Sequence, residues 1–396
     1  MNDSDRAASA PWRALALLWL AGAALRLTIL AVPPVLPAIR DELQLTATEI
    51  GILTGLPSML FAIAAVPGAL LIARLGVKAA LLWGLTLTAA GGALRGVLPS
   101  IAWLDTMTIV MGAGVAIMQV SMPPAVRAWA PRRIPFATAV YTNGLLIGEI
   151  APVALMLPLV IPVVATWQRG FAFWSVPVVA IALLVLVLGP ARDLTSANVR
   201  PRWWPNWHSP LIWRLGILLG TANAMYFGTN AFIPGYLAAH GEREWISAAL
   251  TSLNLGQLPG SFLLLAFAAR LQRAVWIYVT MGLMCIFAVA GVVFTSGIWV
   301  VVSAGVIGFA AAFILILSLS LPPLLASPQD LPRVTAAMFT ISYTCAVIVP
   351  VLSGLFWDLS GLPTMAFAPV AACGVVLILL APSVLHIEPQ ASNSGS

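Results

Sequence analysis

Charge is what this 396-residue chain has least of: Asp, Glu, Lys and Arg make up 8% of it, against 61% hydrophobic residues and a mean hydropathy of +1.01. Soluble domains carry about 25% charged residues. The chain therefore lacks the means to give itself a polar surface, and its solvent is lipid. Residues that build catalytic and metal centres are also scarce. Three cysteines (Cys285, Cys345, Cys373) and three histidines (His208, His240, His386) are scattered singly. The cysteines lie in apolar runs without CxxC or CxxH spacing and read as reduced core residues. No HExxH, GxSxG, Walker or GxGxxG motif stands in a usable context. Neither an enzyme nor a bound metal or cofactor is expected. The net charge of +6 resides in short loops between apolar runs, a placement that membrane orientation explains better than nucleic-acid binding does.

What the chain has in plenty is apolar length. A span takes about 20 such residues. Runs of that order fall near 14–39, 47–72, 79–98, 101–124, 135–161, 170–190, 211–239, 245–269, 274–295, 297–321, 334–357 and 362–382. They predict an all-α integral membrane protein with twelve transmembrane helices. The first run, after MNDSDRAASAPWR, is too long for a signal h-region and reads as an uncleaved span. With the N-terminus inside, the cytoplasmic set is Arg6, Arg13, Arg74, Lys78, Arg127, Arg132, Arg133, Arg192, Arg200, Arg202, Arg214, Arg270, Arg273 and Arg333. Only Arg40, Arg169 and Arg243 fall outside, fourteen against three. This bias places both termini in the cytoplasm of a bacterial-type inner membrane. The polar stretch 191–210 reads as a cytoplasmic linker between an N-terminal bundle, 1–190, and a C-terminal bundle, 211–396, that ends in a short cytoplasmic tail.

The two halves repeat one another. SMPPA (121–125) corresponds to SLPPL (320–324), and YTNGLLIGEIAP (141–152) lies over FTISYTCAVIVP (339–350). VPGALLIARLGVKAALLWG (66–84) resembles 258–282, and AALRLTILAVPPVL (23–36) lies over NAMYFGTNAFIPGYL (223–237). Duplicated six-helix units of this kind predict two pseudo-symmetric bundles with a binding site near mid-membrane, as in secondary transporters. The expected partners are a small-molecule substrate, protons and lipid, with the chain a monomer.

Two charges sit near the middle of spans. Arg26 lies 13 residues beyond Arg13, which is about 20 Å into a core roughly 30 Å thick. Placing it there costs about 2.5–3.5 kcal/mol even on a lenient insertion scale. A water-filled cavity, an internal acid or an anionic substrate would offset that cost, and so would a structural ion pair. Glu149, in GLLIGEIAPVAL, is the other. Burial favours a neutral carboxyl and a nearby guanidinium favours the carboxylate, so roles in proton coupling and in substrate contact both stay open. The repeat sets Tyr226 opposite Arg26 and Val347 opposite Glu149, so both charges belong to the first half only. Asn223, Tyr226 and Asn230 fall at i, i+3 and i+7, on one helix face. They line a cavity or bond between helices. Gln119, Asn254 and Gln257 are further binding candidates, with Asn143 and Tyr343 behind them. Arg95, in GALRGVLP, is close enough to its helix end to snorkel and reads as structural.

LRLTILAVPPVLPAIRDEL (25–43), GALRGVLP (92–99), GAGVAIMQVSMPPAVR (112–127), FAFWSVPVVA (171–180) and NAMYFGTNAFIPGYLAAHG (223–241) resemble the major facilitator superfamily, and within it the cyanate and nitroimidazole permease branch. That resemblance implies a twelve-helix fold and alternating-access transport. The branch carries Asn-x-Arg-Pro in its first helix; here the stretch is Ala24, Leu25, Arg26, Leu27. Gln119 matches the glutamine before the Met-Pro stretch, here Met122 and Pro123. Glu149 departs from the small residue of related permeases, which admits a substrate with a cationic or hydrogen-donating part. In the superfamily loop motif after the second helix, Ala73 stands where an aspartate belongs, while Arg74, Gly76 and Lys78 remain. The expectation is a transporter of a small anionic, nitro or zwitterionic solute, with its coupling to protons left open, and a proton-driven exporter of small aromatic or drug-like compounds as the alternative.

Overall fold

In the computed structural model the described residues are 10–63, 71–72, 74–190, 207–271, 274–326 and 331–385. All regular elements among them are helical. The long helices are α1 (Ala10–Leu30), α2 (Ala47–Ile63), α3 (Val77–Leu94), α4 (Ile101–Trp129), α5 (Ile134–Leu155) and α6 (Trp167–Leu188). They continue as α7 (Pro210–Ala239), α8 (Ile246–Leu255, resumed as Gln257–Leu271), α9 (Val275–Phe294), α10 (Ile298–Ser320), α11 (Leu331–Ser360) and α12 (Ala368–Leu385). Each overlaps one of the twelve apolar runs. Nine helical stretches among the described residues are long and apolar enough to cross a membrane, and α2 is a shorter apolar helix. The linker residues 191–206, Ala73, and the ends 1–9 and 386–396 lie outside the described residues.

Proline sets the shape of α1. Pro33 and Pro34 have no N–H to give the carbonyls of Ile29 and Leu30. The Val32 N–H donates to the Ile29 carbonyl at 3.3 Å, and the chain turns through Pro33–Val35 into a short helix, Leu36–Leu43. At the start of α2, Thr46 and Glu49 form a capping box. The Thr46 N–H donates to Glu49 Oε2 at 2.8 Å, and the Glu49 N–H donates to Thr46 Oγ1 at 3.2 Å. The Asp358 carboxylate, from α11, accepts the N–H groups of Ala47 and Thr48 at 2.8 and 2.7 Å. An anion is favoured at a helix N-terminus. Replacing Asp358 by alanine is expected to cost about 1–2 kcal/mol, read as a lower thermal unfolding midpoint of the purified protein.

The chain divides into two compact units, 1–44 with 63–199, and 45–62 with 200–396. By its contacts α2 is grouped with the second unit. It packs on α11, where Gly51 meets Pro350 and Gly354 meets Ala47. In the first unit α1 packs on α4, α5 and α6, while α3 packs on α4 and α6. In the second, α7 packs on α10, α11 and α12, while α9 packs on α10 and α12. Under the sequence repeat these two sets are the same. α1 and α7, the equivalent pair, are the most enclosed helices of their units, with runs such as Leu27–Leu36 and Leu218–Tyr236 almost wholly buried. Val187 on α6, Phe287 and Phe294 on α9 and Leu379 on α12 stand exposed, as apolar residues do where the solvent is lipid.

Candidate functional site

Glycine determines how α1 meets α5. A Cβ at Gly22, Gly144 or Gly148 would collide with the backbone carbonyl of Tyr141, Trp19 or Ala23 respectively. Gly144 and Gly148, four apart, form a small-xxx-small face that lets two helices touch backbone to backbone. Glu149 follows Gly148 directly, and Arg26 lies about one turn beyond Gly22. The result is an ion pair: Arg26 Nε donates to Glu149 Oε1 at 3.2 Å, with the two residues only 8% and 5% exposed. Two turns earlier on α1 the Trp19 indole donates to Asn143 Oδ1 at 2.9 Å. On α4, Pro123 removes the i+4 donor for the Gln119 carbonyl. The side-chain Oε1 of Gln119 is buried without a hydrogen-bond partner among the described residues. Substituting Gly148 by leucine is expected to cost about 1–3 kcal/mol through overpacking and to separate Arg26 from Glu149, measured as lower thermal stability.

The neutral candidates gather in the second unit. The Tyr226 hydroxyl donates to Asn254 Oδ1 at 2.7 Å, and Asn254 Nδ2 donates to the Leu250 carbonyl at 2.8 Å and lies 3.5 Å from Asn230 Oδ1. Asn230 Nδ2 donates to the Tyr226 carbonyl at 3.0 Å, and Asn223 Nδ2 donates to Ser342 Oγ at 2.8 Å. The i, i+3, i+7 face of α7 is thus spent on bonds to α8 and α11. Gln257 begins the second segment of α8, just past Gly256, and is buried. Tyr343 packs edge-on against Phe61, centroids 5.2 Å apart, and stacks on Phe339 at 6.2 Å. Ser342 was not singled out from the sequence. Its signal was a hydroxyl in an apolar helix beside Tyr343.

The loop residues divide. Arg74 is exposed, and Gly76, at φ +83°, precedes α3. Lys78 Nζ donates to the Gly189 carbonyl at 2.7 Å, a cation at the C-terminal end of α6. Arg95 corrects the snorkelling expectation. It is fully buried, with Nη2 on the Thr28 carbonyl at 2.6 Å. No group of three or more His, Cys, Asp or Glu suited to a metal ion occurs among the described residues.

Twelve long helices among the described residues, a packing scheme repeated in the two units and a buried charge pair between apolar helices are features of a membrane transporter. The family model for the Major Facilitator Superfamily matches residues 18–253, more than half of the chain, and the chain belongs to that superfamily. It is 26% identical over 380 residues to the cyanate transport protein CynX of Escherichia coli, covering 92% of this chain and 95% of that protein. It is 28% identical over 350 residues to the 2-nitroimidazole transporter of Escherichia coli, covering 85% and 86%. Among solved structures, a D-xylose–proton symporter matches with a TM-score of 0.74 at 13% identity over 96% of this chain and 98% of that one. A bacterial homologue of the human lysosomal transporter Spinster, inward-facing and unoccupied, matches with a TM-score of 0.72 at 15% identity over 95% and 96%. These structural likenesses establish the fold. The chain is a multi-pass membrane transporter, from a family of carriers and not of enzymes.

Proposed function

We propose that this protein is an alternating-access secondary transporter carrying a small anion or a planar nitro compound, of the cyanate or 2-nitroimidazole kind, together with a proton. In this reading both termini are cytoplasmic, 1–190 and 211–396 are the two bundles, and the chain works as a monomer in the inner membrane. The observation that supports it is the buried Arg26–Glu149 pair. A guanidinium presents a planar fork of donors suited to carboxylate-like and nitro groups. In the structure Nε of that guanidinium is engaged by Glu149 Oε1 at 3.2 Å. An incoming anion takes the place of the carboxylate, and Glu149 is left without its counter-ion in an apolar bundle. Burying a lone carboxylate is costly, and the group neutralises instead. The proton it takes up accompanies the anion. Moving an anion into an inside-negative cell costs about 2.3 kcal/mol per charge per 100 mV, and a co-transported proton cancels that electrical cost.

Gln119, whose buried amide oxygen has no partner among the described residues, is assigned a hydrogen bond from the ring N–H of a nitroimidazole, and its Nε2 one to cyanate. The uncharged set Asn223, Tyr226, Asn230, Asn254 and Gln257 is assigned orienting hydrogen bonds through the donor and acceptor positions left over by its interhelical bonds, with Asn143 and Tyr343 in supporting roles. Thermal unfolding with cyanate or 2-nitroimidazole tests this. Ligand at a hundredfold excess over Kd stabilises by about 2.7 kcal/mol. We expect that stabilisation in the wild type and its loss in Arg26→Gln. A shift that survives Arg26→Gln unchanged removes Arg26 from the binding role.

A further inference from the structure

Arg95 heads the large side chains with essentially no exposure among the described residues. It follows directly on the C-terminus of α3 at Leu94. Its Nη2 donates to the Thr28 carbonyl at 2.6 Å, and its guanidinium carbon lies 4.4 Å from the centre of the Phe171 ring of α6. The carbonyl it meets has a particular history. In an unbroken helix Thr28 would receive the Val32 N–H, but that N–H has been diverted to Ile29, whose own donor is missing because residue 33 is proline. Arg95 therefore supplies the hydrogen bond that the break in α1 takes away, and it places a cation where the helix dipole is negative.

Arg26 lies four residues before the end of α1 at Leu30, about one turn. Terminal turns fray unless they are held. Next to Arg95, a Cβ on Gly92 would come within 2.7 Å of Ser175 Oγ and 3.0 Å of Thr28 Cγ2. The three helices α1, α3 and α6 meet beside Thr28. We propose that Arg95 is a positioning residue: by holding the Thr28 carbonyl against α3 and Phe171, it fixes the last turn of α1 and with it the direction in which Arg26 is presented. The proposal rests on reading Arg26 as the substrate-binding residue. Arg95 itself touches no substrate in this account.

The test uses the full chain in detergent. Hydrogen–deuterium exchange is followed at the amides of Leu30 and Val32, and binding of cyanate and 2-nitroimidazole is measured by titration, for wild type, Arg95→Gln, Arg26→Gln and the double variant. A buried hydrogen bond from a charged donor is at stake, so Arg95→Gln is expected to speed exchange by about tenfold and to raise Kd by about tenfold. In the Arg26→Gln background the same substitution is expected to change Kd by less than about twofold, because interacting residues are non-additive. Arg95→Lys keeps the charge and one donor but loses the planar fork, and its effects are expected to be about threefold. That variant carries the comparison if Arg95→Gln does not fold. Unchanged exchange at Leu30 and Val32 overturns the proposal, as does an equal loss of binding in both backgrounds. Wild-type binding in Arg26→Gln, or no binding of either probe to the wild type, sinks the substrate role of Arg26. In both cases the exchange rates still decide whether Arg95 grips α1.

Discussion

Replacing either Arg26 or Glu149 alone by an uncharged residue is expected to lower the stability of the purified protein by about 3–5 kcal/mol, and replacing both by far less. The asymmetry follows from solvation. Each group is almost completely buried, and they meet at 3.2 Å. Removing one leaves an uncompensated charge in a medium that cannot hydrate it, whereas removing both leaves a neutral pair of helices whose contact is made by Gly22, Gly144 and Gly148. Arg26→Gln, Glu149→Gln and the double variant, compared in a thermodynamic cycle, give the coupling directly. Additive losses would mean that the two side chains do not depend on each other in the folded protein.

The second large effect concerns energy coupling. If the anion displaces Glu149 from Arg26, the loaded site holds one proton more than the empty, ion-paired site. By linkage, binding weakens as pH rises wherever the empty site is ionised, by up to about tenfold in Kd per pH unit. Glu149→Gln removes the competing carboxylate. Its cyanate affinity is expected to be flat across the same pH range, and the anion should restore much of the stability that the substitution costs. In proteoliposomes Glu149→Gln should still exchange labelled for unlabelled substrate, yet lose accumulation driven by an acid exterior. Accumulation that persists at the wild-type level in Glu149→Gln would assign the proton to another group.

The fold was legible because its signals are coarse. Twelve apolar runs of spanning length and a duplicated proline pattern need no knowledge of contacts, and the helices observed overlap the runs. The placement of α2 was less legible. Its attachment to α11 depends on Gly51, Gly354 and the Asp358 carboxylate, a contact between segments some 300 residues apart that leaves no periodic mark. For the site, the depth of Arg26 and Glu149 was evident from their position within spans, but not their contact. The spacing of Gly144 and Gly148 was the available clue, since it marks the face of α5 that can touch another helix and puts Glu149 at its edge. The polar face of α7 was read correctly as a face. Its commitment to Asn254 and Ser342 depends on which helices lie opposite, and a single helix does not encode that. Arg95 was misplaced at the membrane surface because distance to a helix end was taken as distance to water. The helix Leu36–Leu43 extends α1 beyond its break, and Phe171 of α6 covers the guanidinium.

The central claim is that one ion pair takes up substrate and proton together, the anion on Arg26 and the proton on Glu149. The most direct measurement is proton uptake on binding, followed with a pH indicator as cyanate is added to the purified protein in weakly buffered detergent solution. The account predicts one proton taken up per anion bound by the wild type and none by Glu149→Gln. Cyanate binding without proton uptake, or with the same uptake in Glu149→Gln, would contradict it.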